Sequence, residues 1–333
     1  MLVLCGDLGG TKTLLQLAEF IDGKYSVRFQ KRYESKEFES LSPMLKQFLI
    51  AAEKEISPLS DYVLTACFAI AGPINGNTAR VTNLGWDIDG LQIQNDFAIA
   101  KVKLINDFFA IASAIDLLAD KDILTLQENA VKSQAPRAIL GAGTGLGTAM
   151  QIWTGAGYQV VSSEGGHVSF APVNEIQIKL LQHLLATNSQ ISYENILSGS
   201  GLVKIFNFLA EEKETTQALT EAMQTDDPAI AISEFALQGK DDIAEQALDT
   251  FVQIYGRQAG NLALTCLAFG GVYIAGGIAT KIMAKMQDGQ FVAAFNNNPK
   301  MGYLLQKMSV KLITNPEVGL IGAAYVGSKL LDD

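Results

Sequence analysis

Positive charge, cysteine and histidine are scarce in this chain. Its 333 residues carry 25 Lys and Arg against 35 Asp and Glu, a net charge of −10 with histidine neutral. That balance argues against a nucleic-acid or anionic-membrane partner, which calls for basic patches. It leaves open small phosphate ligands held by local sites. The three cysteines, Cys5, Cys67 and Cys266, are far apart and lie in apolar stretches. Such a set fits neither a disulfide framework nor a zinc cluster and reads as buried thiols in a reducing cytosol. No charged region or cleavage site precedes the first strand, so no signal peptide is expected. Charge is also missing from Gln258 to Thr280, a run long enough to mimic a membrane span. Gly270-Gly271 and Gly276-Gly277 interrupt it, so the reading is a buried helix to about Phe269, then a short strand Val272–Ala275.

What is present is a well-packed globular composition, 48% hydrophobic and 18% charged. The length exceeds one ordinary core, so two lobes are expected. The chain opens with an apolar strand, a turn, a strand Leu14–Phe20, an Asp22-Gly23 turn and a strand Tyr25–Lys31. A helix Leu41–Lys54 and a buried strand Tyr62–Ile70 follow. Hairpins followed by helix and strand predict a mixed sheet. The order recurs about 130 residues on, as a second copy of one unit would: Arg137–Leu140, a Gly/Thr turn, Thr148–Trp153, a Gly155-Ala156-Gly157 turn, Tyr158–Ser162. Two similar lobes facing a cleft are the expectation. The polar stretch 210–242 reads as solvated helix on the outside of the second lobe. Gly319, Gly322, Ala323 and Val326 share a helical face near the C-terminus, small enough to pack closely on the first lobe.

Six segments can carry chemistry. In Leu4–Lys12 a strand runs into Asp7 and then Gly9-Gly10-Thr11. A carboxylate beside a glycine-rich hairpin suits a hydrated cation and a phosphate; a plain tight turn uses the same residues. In Gly141–Gly147 the third glycine of a dinucleotide fingerprint is replaced by Leu146, and no Gly-Lys-Ser/Thr follows. The turn Gly143-Thr144-Gly145 can still meet a phosphate, or be only a turn. Asn106-Asp107 sits between a strand Val102–Ile105 and a helix whose Phe108, Ile111, Ala112, Ile115 and Leu118 share one face. Asp107 reads there either as the N-cap or as a general base. Glu164-Gly165-Gly166-His167 offers an acceptor and a donor to a polyhydroxyl ligand, and with no third ligand nearby a metal is disfavoured. His183, the other histidine, reads as helix surface or packing. In Tyr193–Gly201, Ser192 caps a short helix ending at Ser198-Gly199, and Glu194 is another acceptor or a first-turn acid. Gly276-Gly277 ends a buried strand with bare backbone that can lie beneath an adenosine, or simply turns the chain.

In this order, over essentially the whole length, the segments resemble the bacterial glucokinases on the hexokinase/actin-like ATPase fold. The resemblance implies an α/β, two-lobed, ribonuclease H-like architecture with mixed sheets flanked by helices and a cleft between lobes. The lobes expected are 1–107, completed by 316–333, and 108–315. The implied reaction is ATP-dependent phosphorylation of glucose at its 6-hydroxyl, with ATP and Mg²⁺ as cofactors and Asp107 as base. Asn106, Asp107, Glu164, His167 and Glu194 match the family's sugar contacts, with Asn83 and Trp86 as further lining. Gly9, Gly10, Thr11, Gly143, Thr144 and Gly145 match phosphate contacts and Gly276-Gly277 the adenosine contact, with Lys12 expected as a further cofactor contact at a position where the family differs. Asp7 is expected to orient Mg²⁺ through water. A cytoplasmic homodimer without nucleic-acid or membrane partners is implied. The family usually reads Gly-Gly-Thr-Asn with an arginine soon after; here Lys12 follows Thr11 and the next arginine is Arg28. Gly-Gly-Thr-Lys is common in the ROK sugar kinases, which typically carry a cysteine-rich zinc motif after the histidine segment. No cysteine lies between His167 and Cys266, so a non-ROK member is expected. The alternatives are a kinase for another hexose or an acetyl-hexosamine, and a non-catalytic sugar sensor on the same fold.

Overall fold

Alternate residues of the first strand feed two different cores. In the computed structural model, which describes residues 1–21, 24–62, 64–211 and 213–331, strand β1 (Leu2–Leu8) is buried on both faces. Leu2, Leu4 and Leu8 join one hydrophobic cluster, Val3 and Cys5 another. That double burial is why β1 reads as a continuous apolar run and not as an alternation. β2 (Lys12–Ile21) and β3 (Lys24–Glu34) follow it as an antiparallel meander. The expected Asp22-Gly23 turn lies outside the described residues. Helix α1 (Leu41–Glu53) places Met44 and Phe48 against the first cluster. β4 (Leu64–Ile70) returns beside β1 in parallel.

A small antiparallel sheet of β5 (Ile74–Asn75), β6 (Thr78–Val81) and β7 (Trp86–Asp89) comes next. α2 (Gly90–Asp96), β8 (Lys101–Asn106) and α3 (Asp107–Ala114) complete this stretch. The main sheet runs β3-β2-β1-β4-β8, with β1, β4 and β8 parallel. Register then decides what stands at its edge. Asp7 pairs with Ala69, and Ala69 with Ile105. The carboxyl ends of β1 and β8 therefore lie level, two strand spacings apart, roughly 10 Å.

The second half repeats the plan. After β9 (Ile123–Gln127) come β10 (Arg137–Ala142), β11 (Leu146–Trp153) and β12 (Tyr158–Ser163), again an antiparallel meander. Helices α4 (Glu175–Leu185), α5 (Gly199–Ala210), α6 (Gln217–Thr225), α7 (Pro228–Leu237) and α8 (Asp242–Cys266) lead to β13 (Val272–Ala275). The short helices α9 (Gly277–Lys281), α10 (Met283–Gln287), α11 (Gln290–Asn296) and α12 (Gly302–Leu305) precede β14 (Val310–Ile313). The sheet order is β12-β11-β10-β13-β14-β9, with β10, β13 and β14 parallel. The charge-free run is thus split: α8 stops at Cys266, where Leu267 turns left-handed with φ 52°. Among the described residues no helix is long and apolar enough to cross a membrane.

The chain ends in α13 (Val318–Ser328), whose small residues let it sit close to its neighbours. A Cβ on Gly322 would collide with the Ala110 carbonyl of α3, and one on Gly327 with Val3. Two compact units result. One comprises residues to Ala119 together with the chain from Asn315; the other is Asp120–Thr314. The boundary falls after Ala119 and not at Asp107, because α3 packs on α13 and stays with the first sheet. Two local expectations are corrected. The helix after Asp107 ends at Ala114 and tightens into a 3₁₀ turn at Ile115–Leu117, so Leu118 leaves the shared face. The residues from Ser192 form a turn, and a helix begins, not ends, at Gly199.

Candidate active site

The β1–β2 turn is tied down by backbone. The Gly9 N–H donates to the Lys12 carbonyl at 3.1 Å, and the Ser35 N–H to the Thr11 carbonyl at 2.8 Å. The Ser35 hydroxyl donates to the Gly9 carbonyl at 2.9 Å. Gly10 lies against Asn83: a Cβ on it would stand 3.3 Å from the Asn83 Cβ. The structure thus brings Asn83 to this hairpin. Trp86 is different; it is buried in the first core and its indole N–H donates to the Phe38 carbonyl at 3.3 Å. It lines no surface. Thr11 and Lys12 are exposed, and the Lys12 ammonium lies 3.9 Å from Glu34.

Asn106, not Asp107, caps α3. Its Oδ1 accepts the N–H groups of Phe108 at 2.9 Å and Phe109 at 3.2 Å, and its amide donates to the Gly72 carbonyl at 3.3 Å. Asp107 becomes the first helical residue. Its Oδ1 accepts the Phe108 N–H at 2.9 Å. Burial pushes the Asp107 carboxyl up to about 6; the Phe108 N–H opposes this and the charge of Asp7 adds to it. Burial also raises the Asp7 carboxyl. No hydrogen-bond donor or cation among the described residues pairs with Asp7. Gly319 of α13 leaves it room, a Cβ there standing 3.5 Å from Oδ2. Two carboxylates at one sheet edge, both disfavouring their charge, suit a cation beside one and a proton on the other.

The second hairpin is closed by a carboxylate. The Gly143 N–H donates to the Gly145 carbonyl at 2.8 Å, and the Leu146 N–H donates to Glu194 Oε2 at 2.9 Å. A Cβ on Gly145 would collide with that same Oε2. The Glu194 N–H reaches the Gly166 carbonyl at 2.9 Å, and the His167 N–H the Glu164 carbonyl at 3.0 Å. These bonds gather Glu164, His167 and Glu194. His167 Nδ1 lies 3.7 Å from Glu194 Oε1, and Nε2 lies 3.8 Å from Glu164 Oε2. Both are too long for hydrogen bonds, so the ring nitrogens and facing oxygens stay available to a hydroxyl-bearing ligand. His183 is elsewhere, on α4, with Glu211 and Phe208.

Gly276 turns β13 into α9 with φ 88°, and a Cβ on it would lie 2.5 Å from the Ala142 carbonyl. Only glycine fits both conditions. Gly277 is exposed and a Cβ on it would meet nothing, so the backbone there offers an open face. Three contributors escaped the sequence reading. Tyr255 of α8 ties two strand ends together: its hydroxyl accepts the Ala142 N–H at 3.0 Å and donates to the Ala275 carbonyl at 3.3 Å. Ser198 caps α5, accepting the Gly201 N–H at 3.1 Å and donating to the Glu194 carbonyl at 2.8 Å. The Gly199 N–H donates to the Gly143 carbonyl at 3.0 Å, setting the positive end of α5 beside the hairpin turn. The Ser-Gly pair before an apolar run was the available signal for that helix start.

A glucokinase family model matches residues 4–330. The glucokinase of Nostoc punctiforme is 44% identical, with 99% of each chain covered. The glucokinase of Synechocystis sp. is 40% identical, with 98% of each covered. Among solved structures, a glucokinase from an Antarctic psychrotroph is 28% identical, covers 98% of each chain and superposes with a TM-score of 0.82. A ROK family glucokinase from Streptomyces griseus, in complex with glucose and AMPPNP, shares the fold at 18% identity and TM-score 0.64, over 99% of this chain and all of that one. By the family model and by its relatives, the chain belongs to the glucokinase family.

Proposed function

We propose that this chain transfers the γ-phosphoryl group of ATP to the 6-hydroxyl of glucose, giving glucose 6-phosphate and ADP. The observation that carries the mechanism is the division of labour at the start of α3. Asn106 does the capping, so the Asp107 carboxylate is left for chemistry. Its carboxyl, raised to about 6, is ionised at neutral pH yet basic enough to take a proton. In the reaction the sugar oxygen bonds to the γ-phosphorus, its proton passes to Asp107, and the bond to the ADP oxygen breaks. Such transfer depends on positioning and electrostatics more than on covalent help from the protein.

Glu164, His167 and Glu194 are proposed to hold the other sugar hydroxyls, with Asn83 and Asn106 as further contacts. The hairpins Gly9-Gly10-Thr11-Lys12 and Gly143-Thr144-Gly145 are assigned to phosphate, and Gly276-Gly277 to adenosine. Asp7 fits a magnesium ion in kind, as a hard oxygen donor with no partner among the described residues. Among the described residues no group of three such ligands forms a cage, so Asp7 would hold the ion through water. When bound, the ion neutralises phosphate charge. The lack of cysteine between His167 and Cys266 supports placement outside the ROK branch. A homodimer in the cytoplasm completes the reading.

The test is a coupled assay across several hexoses, acetyl-hexosamines and phosphate donors, run on the wild type and on Asp107→Ala. Glucose with ATP is expected to give the highest kcat/KM. Asp107→Ala is expected to lose about 10²–10⁴-fold in kcat, the usual worth of a general base, while still binding glucose. Near-wild-type turnover in Asp107→Ala removes the base assignment.

A further inference from the structure

Helices α4, α8 and α11 and the residues after α12 enclose a pocket of about 560 Å³ that the proposed reaction does not use. It lies within the unit Asp120–Thr314, and its volume is in the range of small-molecule sites. The lining chemistry is unusual for a chain of net charge −10. Carboxamides dominate, from Asn174, Gln253, Gln290, Asn297 and Gln306, and among the described residues no acidic side chain lines it. Arg257 is the single charge among the described lining residues. Its guanidinium donates to the Asn297 carbonyl, and no carboxylate among the described residues pairs with it. A guanidinium carries five N–H donors, so most of its capacity is uncommitted.

Two acids that touch the lining residue Gln290 are partly compensated. Gln290 donates to Asp249 at 3.0 Å and to Asp288 at 3.3 Å, and Lys285 is ion-paired with both. We infer that this pocket is a second binding site, for a small hydroxyl-rich anion. Arg257 takes the phosphate or carboxylate group, for which its fork geometry is suited. The carboxamides, donors and acceptors at once, take the hydroxyls. One turn further along α8 from Arg257, Asn261 donates to the Tyr193 hydroxyl at 3.2 Å. Tyr193 precedes Glu194, so an occupant borders the sugar-binding turn through a single helix.

The test uses two probes, glucose 6-phosphate and gluconate, titrated calorimetrically into the full chain presaturated with glucose and AMPPNP. Saturation makes the result independent of the site assigned above, whose failure would appear in the kinetic assay instead. At least one probe is expected to bind at one per chain. Binding of the phosphate alone, of the carboxylate alone, or of both supports the site and identifies the anion it takes. Arg257→Gln is expected to weaken that binding at least tenfold. Ala293→Glu, which puts an acid on an exposed lining position, is expected to do the same without touching the Arg257–Asn297 bond. It decides the matter if Arg257→Gln fails to fold. No binding of either probe, or binding unchanged in Ala293→Glu, overturns the inference.

Discussion

Glu194 Oε2 accepts the backbone N–H of Leu146 at 2.9 Å, so one carboxylate both closes the Gly143–Gly145 turn and faces His167 with its other oxygen. The two jobs are separable by substitution. Glu194→Gln keeps an acceptor for Leu146 but loses the charge toward the proposed sugar site. Hydrogen bonds to charged groups contribute about 1.5–3 kcal/mol, so kcat/KM for glucose is expected to fall about 10–100-fold. KM for ATP should change little. Glu194→Ala removes the turn contact as well and should raise KM for both substrates. Steady-state kinetics in each substrate check this; equal effects of the two variants on ATP would refute the double role.

The raised Asp107 carboxyl has consequences of opposite sign for activity and stability. Asp107, as the proposed general base, must be ionised to act, so kcat/KM should fall tenfold per pH unit below about 6, and be flat above it. For stability, the folded carboxyl binds its proton more tightly than an unfolded Asp near 3.9. Its contribution is therefore full below that value and is lost as pH rises through about 6. At pH 7.5 the charged form costs stability, and Asp107→Asn should recover about 1–2 kcal/mol after allowance for partial exposure. The expected result is a higher Tm at pH 7.5, no gain at pH 4, and a kcat lowered about 10²–10⁴-fold. Equal melting temperatures for variant and wild type at both pH values would contradict the burial argument.

Much of this was legible in the chain, and the losses follow a pattern. Strands with apolar runs on both faces, β1, β4, β10 and β13, were found because nothing else buries such a run. The repeated strand–turn–strand unit stood out because both turns are built of Gly and Thr. The cap was ambiguous because Asn and Asp serve equally as N-caps; only the backbone, extended at Asn106 and helical at Asp107, assigns the roles. Ser192 looked like a cap for the same reason, yet Asn195 folds back on it, accepting its N–H at 2.8 Å, and the segment stays a turn. Contacts that depend on register or on remote helices, such as Tyr255 with Ala142 and Gly319 with Asp7, leave no local pattern to read.

Gly319 is open to a graded test of the Asp7 site. A Cβ would stand 3.5 Å from Asp7 Oδ2, ordinary contact, and alanine in a helix is favoured over glycine by about 1 kcal/mol. Gly319→Ala should fold at least as stably as wild type and stay active. Valine adds two methyl groups directed into that space and should displace the carboxylate. Gly319→Val is expected to need about tenfold more free Mg²⁺ for half-maximal rate, at nearly unchanged KM for glucose, an ion-binding loss of about 1.4 kcal/mol. Magnesium titration of initial rates measures it. Unchanged magnesium dependence in a folded Gly319→Val would detach Asp7 from the ion.

Lys12 departs from the asparagine usual after the first glycine-rich turn, and its surroundings indicate what it can contribute. Its backbone carbonyl holds the Gly9 N–H, a role any residue fills. Its ammonium is exposed and 3.9 Å from an equally exposed Glu34, an ion pair worth about 0–1 kcal/mol at most. Lys12→Asn should therefore leave Tm within a degree or two. Any larger effect must come through the nucleotide. A lysine beside a phosphate turn adds a point charge, so its loss should raise KM for ATP about threefold to tenfold and weaken the salt dependence of kcat/KM for ATP. KM for glucose should hold. Kinetics at two ionic strengths separate the outcomes: unchanged ATP kinetics at both would mark Lys12 as a surface residue and return the donor site to the backbone of Gly9, Gly10 and Thr11.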